Sequence, residues 1–309
     1  MSAPPRLQGL LAPVVTPFQP DMLPDADRFA RHCRWLLDSG CAGLAIFGTN
    51  SEANSLSATE KIELMGKLVA DGIPGARLMP GTGACSVPEA SQLTAAAVKH
   101  GAAGVLMLPP FFYKGLSEEG LFRYYSQVIE NVGDSALRVY LYHIPPVSQV
   151  PIPLPLIERL IKAYPDTVVG LKDSSGDWNY SKSVIDAFAS TGFDVFPASE
   201  ALLLQGLRAG GKGCITATGN INPGPISQLY NNWQGPDAEA LQQNVTRTRE
   251  LVQKYPMIPA LKAVISYFAQ DQAWRAVRPP LTEMPGEQEA ELIGKLEELG
   301  FDMPGLRED

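Results

Sequence analysis

Residues 138–175 read RVYLYHIPPVSQVPIPLPLIERLIKAYPDTVVGLKDSS. Two runs inside this stretch, RVYLYHIP (138–145) and VVGLKDSS (168–175), are apolar on consecutive residues. That is how parallel strands covered on both faces read. An amphipathic segment separates them, so the stretch reads as strand, crossover and strand.

The same alternation extends in both directions. Further apolar runs are LLAPVVTPF (10–18), GLAIFG (43–48), ARLMPGTG (76–83), GVLMLPP (104–110), DVFPAS (194–199) and GCITAT (213–218), which makes eight strand candidates. Helix signals lie between them. Ser57-Ala-Thr-Glu60 and Ser86-Val-Pro-Glu89 have the form of capping boxes, in which each side chain satisfies an orphan N–H of the first turn. The helix after Ser57 is expected to bury Ile62, Met65, Leu68 and Val69. A second helix opens at Ser117, with Leu121, Tyr124, Tyr125 and Val128 on one face. Gly40, Gly72, Gly101 and Gly192 follow the last periodic residues of helices, where a left-handed residue ends the turn. Strand and helix alternating eight times predict a (β/α)₈ TIM barrel rather than an open sheet. Beyond residue 218 only helical patterns remain, at 225–233, 237–254, 258–270 and 287–299. The expected organisation is a barrel over 1–222 that carries the active site, followed by a helical region over 223–309.

Composition narrows the function. A net charge of −8 argues against nucleic acid or an anionic membrane as partner, since both need clustered Lys and Arg. An anionic substrate must then be held by local groups. Cys33, Cys41, Cys85 and Cys214 are scattered and read as free thiols of a reducing compartment. His32, His100 and His143 have no metal-ligand spacing, so no metal site is expected. The N-terminal residues MSAPPRLQGLLAPVVTPF are broken by prolines and read as neither a secretion signal nor a membrane span. The expected location is the cytoplasm.

A TIM barrel carries its chemistry at the C-terminal ends of the strands. That rule singles out Thr49 and Asn50, Thr82, Phe111 to Tyr113, Tyr142 and His143, Lys172, Ser199 and Glu200, and Thr216 and Thr218. Lys172 is distinctive because it sits on an apolar strand. A buried lysine loses its proton more readily, and a neutral amine can form an imine with a 2-oxo acid. A structural pair with Asp173 would explain the same residue, and position alone leaves both readings open. Alternation puts Tyr140 and Tyr142 on one face, so Tyr142 can move protons beside Lys172 or simply pack its ring locally. His143 should face the helices and be structural. Gly48-Thr-Asn-Ser-Glu52 is a polar turn whose N–H groups and side chains can hold a carboxylate without net positive charge. It also fits an ordinary loop. Gly81-Thr-Gly83 matches no complete nucleotide-binding motif, and Gly210-Gly-Lys-Gly213 reads as a turn at the opposite face of the barrel.

Taken together, the segments resemble the dihydrodipicolinate synthase/N-acetylneuraminate lyase family of pyruvate-dependent class I aldolases. The resemblance rests on Pro13-Val-Val-Thr-Pro-Phe18, Gly48-Thr-Asn-Ser-Glu52, Leu108-Pro-Pro-Phe-Phe-Tyr113, Tyr142-His-Ile-Pro145, Gly170-Leu-Lys-Asp-Ser-Ser175 and Gly210-Gly-Lys-Gly-Cys-Ile215, in the family's order. It implies that Lys172 forms the Schiff base and Tyr142 relays protons. It further implies that Thr49 binds the 2-oxo acid carboxylate and that Ile215 lines the pyruvate pocket. No cofactor is implied beyond the imine itself, and a homo-oligomer, dimer or tetramer, is expected.

Departures from the family pattern bear on the substrate. Where dihydrodipicolinate synthases carry an arginine for the aldehyde's carboxylate, this chain has Val147. Phe112 replaces the tyrosine that such synthases insert into a neighbouring subunit, and Tyr113 is one position away. Asn50 and Lys172-Asp-Ser-Ser-Gly-Asp177 are similar to the 4-hydroxy-2-oxoglutarate aldolases of the group. The expected function is a Schiff-base lyase acting on pyruvate or a 4-hydroxy-2-oxo acid, by aldol cleavage, condensation or dehydration. Asn50 and Ser174 join the expected binding residues, with Ser199 and Glu200 toward the distal part of the substrate. The alternatives are 4-hydroxy-tetrahydrodipicolinate synthase and, from another class, a non-catalytic barrel that senses a 2-oxo acid.

Overall fold

Prolines and one strained turn trim the apolar runs into short strands. The computed structural model describes residues 4–307. Its strands are β1 (Gly9–Ala12), β2 (Gly43–Leu44), β3 (Val105–Met107), β4 (Val139–His143), β5 (Val168–Asp173), β6 (Asp194–Pro197) and β7 (Gly213–Ile215). All the pairings are parallel, in the orders β2-β1-β7 and β3-β4-β5-β6.

The third expected strand, within 76–83, is not a regular one. It starts as a 3₁₀ turn at Gly75–Arg77 and then touches its neighbours through single bridges, Leu44 with Leu78 and Gly81 with Leu106. Pro80 explains this, because it has no N–H to give to a ladder. Its carbonyl still accepts from Leu106 at 2.9 Å, while Gly81 N–H donates to the Ile46 carbonyl at 2.7 Å. The segment thus joins the two sheets on one side. On the other, Lys212 N–H donates to the Val195 carbonyl at 3.0 Å and brings β7 against β6. Eight segments close a ring, as the alternation predicts for a (β/α)₈ barrel.

The ring is filled by one cluster that takes a side chain from each of the eight segments: Leu11, Ala45, Met79, Leu106, Tyr140, Val169, Phe196 and Ile215 are all buried together. Tyr140 needs unusual room there. A Cβ on Gly104 would stand 2.7 Å from its ring, and one on Gly170 would collide with the ring and with the Asp194 carbonyl. Two glycines are therefore what lets a phenol plug the barrel. Its hydroxyl donates to Asp194 Oδ2 at 3.1 Å. Tyr142, two residues on, faces the same way one layer higher, at the open end.

The helix signals mostly hold. Ser57 and Glu60 form a complete capping box for the helix Ala58–Ala70. Ser86 caps Val87–Lys99 through Glu89 N–H, but the reciprocal bond is missing, so that box is one-sided. Ser117 caps Glu118–Val132, whose Leu121, Tyr124, Tyr125 and Val128 are buried as expected. On the Ala58–Ala70 helix the buried stripe is rotated: Lys61, Leu64, Met65 and Leu68 go in, leaving Ile62 and Val69 half-buried. Lys61 lines a cavity together with Glu52, Ala53, Asn54 and Ser55 of the loop after β2. Gly40, Gly72, Gly101 and Gly192 all adopt positive φ.

After β7 the chain is helical, with helices at Pro223–Asn231, Ala238–Val252, Met257–Ala269 and Gly286–Glu298. Among the described residues no helix is long and apolar enough to cross a membrane.

Candidate active site

Five strand ends and their loops converge on one cavity of about 370 Å³ at the C-terminal mouth of the barrel. Tyr142 of β4 and Lys172 of β5 are cross-strand partners in the parallel ladder. Both side chains are almost fully buried and both line the cavity. Lys172 Nζ lies 4.3 Å from the centroid of the Tyr142 ring, a cation–π distance. The Tyr142 hydroxyl is 3.1 Å from Thr49 Oγ1. Burial pushes the phenol's pKa up, but the Lys172 charge and hydrogen bonding from Thr49 and Ser174 outweigh it, so Tyr142 ionises below its ordinary value. A phenol tuned this way, touching an amine and a hydroxyl, can pass protons between them.

Asp173 is not the partner of Lys172. Alternation along β5 turns it to the other face, where its carboxylate accepts from Ser175 N–H at 2.9 Å, from Ser175 Oγ at 3.0 Å and from Ser181 Oγ. Among the described residues, no ion pair involves Lys172. His143 also faces away from the cavity mouth. Its Nδ1 accepts from Ile152 N–H at 3.1 Å and its ring stacks 4.0 Å from Tyr180, which is the structural role expected of it.

Thr49 and Asn50 are placed by a tightly built turn. Phe47, three residues past the end of β2, takes a positive φ of 59°, a strained conformation for a bulky residue that turns the chain into the loop. Gly48 then caps the 3₁₀ turn Thr49–Ser51. Ser51 Oγ accepts from Gly48 N–H at 3.2 Å and donates to the Val14 carbonyl, while Thr16 Oγ1 donates to the Ser51 carbonyl at 2.8 Å. The Pro13–Phe18 segment is thus a brace for the loop, not part of β1. Glu52 closes the turn in a left-handed conformation and is fully buried against Lys262 of the helix Met257–Ala269. Arg278 N–H also donates to Glu52 Oε2 at 2.8 Å. Burial lowers the Lys262 pKa to about 8 despite the Glu52 carboxylate beside it. The C-terminal helices therefore hold the Thr49–Asn50 turn from behind.

Ile215, Ser174 and Ser199 line the cavity, together with Val147 at its rim. Glu200 does not face the substrate space as expected. It is wholly buried, accepts from the hydroxyls of Thr216 and Thr218, and belongs to the wall behind β7. The reason is local: Ser199 caps Ala201 N–H and opens the turn Glu200–Leu202, which swings the next side chain inward. Phe112 and Tyr113 pack edge to face at 5.3 Å and are 72% and 69% exposed, outside the cavity.

The sequence reading missed four residues that shape the site. Asn220 ties Val15 N–H and the Pro13 and Ala217 carbonyls together at 2.8–3.0 Å. Lys262 anchors Glu52. Met257 and Arg249, both from the helical tail, line the cavity. None of them sits in a recognisable local pattern.

Comparison with known proteins agrees with the barrel fold. Residues 6–299 match the model of the dihydrodipicolinate synthetase family. A relative from Chloroflexus aurantiacus named an uncharacterized DapA-like lyase is 32% identical over 94% of this chain and 97% of its own. A 4-hydroxy-tetrahydrodipicolinate synthase from Thermus thermophilus is 30% identical over 95% and 97%. Among solved structures, dihydrodipicolinate synthase from Agrobacterium tumefaciens superposes with a TM-score of 0.87 at 29% identity, covering 94% of this chain and 99% of that one. A prophage protein from E. coli K12 belonging to the dihydrodipicolinic acid synthase family, solved in complex with pyruvate, gives 0.86 at 26% identity over 95% and 99%. With a barrel, a strand lysine and a tyrosine–threonine pair at its mouth, the chain belongs to the dihydrodipicolinate synthetase family.

Proposed function

We propose that the chain is a class I lyase that forms an imine between Lys172 and a 2-oxo acid, with a 4-hydroxy-2-oxo acid as the preferred substrate. The observation that carries this reading is the Lys172–Tyr142–Thr49 chain of contacts inside the cavity. Thr49, Asn50 and the N–H groups of their turn receive the carboxylate. The Lys172 amine, once it has given up its proton, adds to the carbonyl carbon, and loss of water with a proton supplied by Tyr142 leaves the protonated imine. Cleavage then breaks the bond between the third and fourth carbons: its electrons flow into the imine to give an enamine. Tyr142 takes the proton of the 4-hydroxyl, which leaves as part of an aldehyde. Protonation of the enamine and addition of water return pyruvate and the free amine. Dehydration starts from the same imine and differs in the bond that breaks. No cofactor is needed, because the imine is the electron sink. Ile215 and Ser174 shape the pocket around the imine.

Val147 favours this reading over 4-hydroxy-tetrahydrodipicolinate synthase, since an exposed isopropyl group stands where an arginine would clamp a second substrate. The exposed Phe112–Tyr113 pair supports a homo-oligomer, because ordered aromatics of this size are normally covered. Three of the four cysteines are buried free thiols, which suits a cytoplasmic protein.

The test is trapping. The protein is incubated with pyruvate and borohydride, digested and mapped by mass spectrometry, with the reduced adduct expected on Lys172. An unmodified Lys172 in folded protein would overturn the reading and favour a non-covalent 2-oxo acid sensor.

A further inference from the structure

The cavity holds a second cation that the Schiff-base chemistry does not use. Arg249 lies on the helix Ala238–Val252 and reaches the same space as Lys172. Its side chain is only 17% exposed. A guanidinium has five N–H groups and, when buried, normally spends them on short bonds. Here every protein contact is at the limit of length. Nη1 is 3.5 Å from Thr216 Oγ1 and 3.9 Å from Glu200 Oε2, and Nε is 3.4 Å from Gln253 Oε1. Nη2 has no partner among the described residues.

Glu200 does not account for the arginine. Its two carboxylate oxygens already accept from the Thr216 and Thr218 hydroxyls, and no atom of it lines the cavity. Asp173, the one carboxylate residue on the cavity wall, is committed to Ser175 and Ser181. Arg249 therefore brings a positive charge to a small cavity, in a chain of net charge −8, without an anion bound closely to it.

We propose that Arg249 receives the terminal carboxylate of the substrate, so that the enzyme selects 2-oxo diacids; this rests on the Schiff-base reading of Lys172. The carboxylate next to the carbonyl goes to the Thr49–Asn50 turn and the carbonyl goes to Lys172. A second carboxylate needs donors of its own, and with Val147 neutral and Lys172 engaged at the carbonyl, Arg249 is the cation on the cavity wall able to supply them. A planar guanidinium with free N–H pairs matches a carboxylate in two-pronged fashion. Arg249 is on this account a specificity residue supplied by the helical tail.

The experiment compares two ligands that differ in the terminal group alone. Borohydride trapping on Lys172 is titrated with 2-oxoglutarate and with 2-oxopentanoate, in the wild type, Arg249→Lys and Arg249→Met. The wild type is expected to favour 2-oxoglutarate by roughly tenfold or more, the size of one charge-assisted contact. The preference should shrink in Arg249→Lys and fall close to unity in Arg249→Met. Equal trapping of the two ligands by the wild type overturns the proposal, whether or not the variants fold. So does a preference that survives in Arg249→Met. Pyruvate trapping separates the two levels: no adduct at Lys172 overturns the Schiff-base reading, whereas an adduct without any diacid preference overturns only the role of Arg249.

Discussion

Tyr142 and Lys172 are paired residues on adjacent parallel strands, and the lysine nitrogen sits 4.3 Å from the centre of the tyrosine ring. The barrel ladder itself sets this relationship. Neighbouring parallel strands place partner side chains on the same face, and at the open end of the barrel that face is the cavity. The Tyr142 phenol and the Lys172 amine are thereby held together by main-chain hydrogen bonds rather than by a mobile loop.

Tyr142→Phe keeps the ring beside Lys172 but removes the hydroxyl that contacts Thr49. Turnover on the best 4-hydroxy-2-oxo acid should fall by about two to four orders of magnitude, while the fold stays intact. The pH profile adds a second check. Tyr142 ionises below the usual tyrosine value, so the alkaline limb of wild-type activity should lie below about pH 10. That limb should disappear in Tyr142→Phe. A wild-type rate in the variant would remove the relay from the mechanism.

Lys262→Met leaves Glu52 buried without its cation. Breaking a buried pair from one side costs about 3–5 kcal/mol, far more than the pair contributes net. Thermal denaturation should show a large loss of stability. The Thr49–Asn50 turn should loosen as well, which a raised KM for the 2-oxo acid would report. Unchanged stability and KM would mean that the tail does not hold the loop.

Glu60 is held near a pKa of about 2, chiefly by the Arg278 guanidinium, with the Ser57 N–H helping and burial opposing. A lowered carboxyl pKa stabilises the fold at pH above the unfolded value near 4.5, and this contribution is lost as pH falls from there toward about 2. Partial exposure and solvent screening reduce the effect to about 1 kcal/mol. Glu60→Gln should therefore lower Tm at pH 7, and the gap from wild type should narrow progressively below pH 4.5. An equal gap at pH 7 and pH 3 would contradict it.

Gly170→Ala tests the barrel filling. The new methyl would meet the Tyr140 ring and stand 2.7 Å from the Asp194 carbonyl, both of which are fixed. Overpacking of this kind costs about 1–3 kcal/mol. Because residue 170 is on the strand that carries Lys172, kcat should fall along with stability. Pairing the change with Tyr140→Phe should rescue little, since the ring remains; Tyr140→Leu should rescue more.

The sequence alone carried the strand and helix alternation, because burial on both faces of a parallel strand forces consecutive apolar residues and helix starts need caps. It carried the ordered motifs around Thr49, Tyr142 and Lys172, because those residues sit at or just past strand ends, where local position decides which side chains reach the cavity. It also marked Val147 as a departure. It missed the bridged third segment, where Pro80 interrupts the ladder, and it placed Glu200 on the wrong side of a turn. Only the tertiary structure decided that Asp173 turns away from Lys172, that Glu52 meets Lys262 across 210 residues of chain, and that Arg249 enters the cavity. Those outcomes depend on which surfaces the helical tail lays against the barrel. Contacts between distant segments arise from packing and leave no periodic signal in either segment on its own.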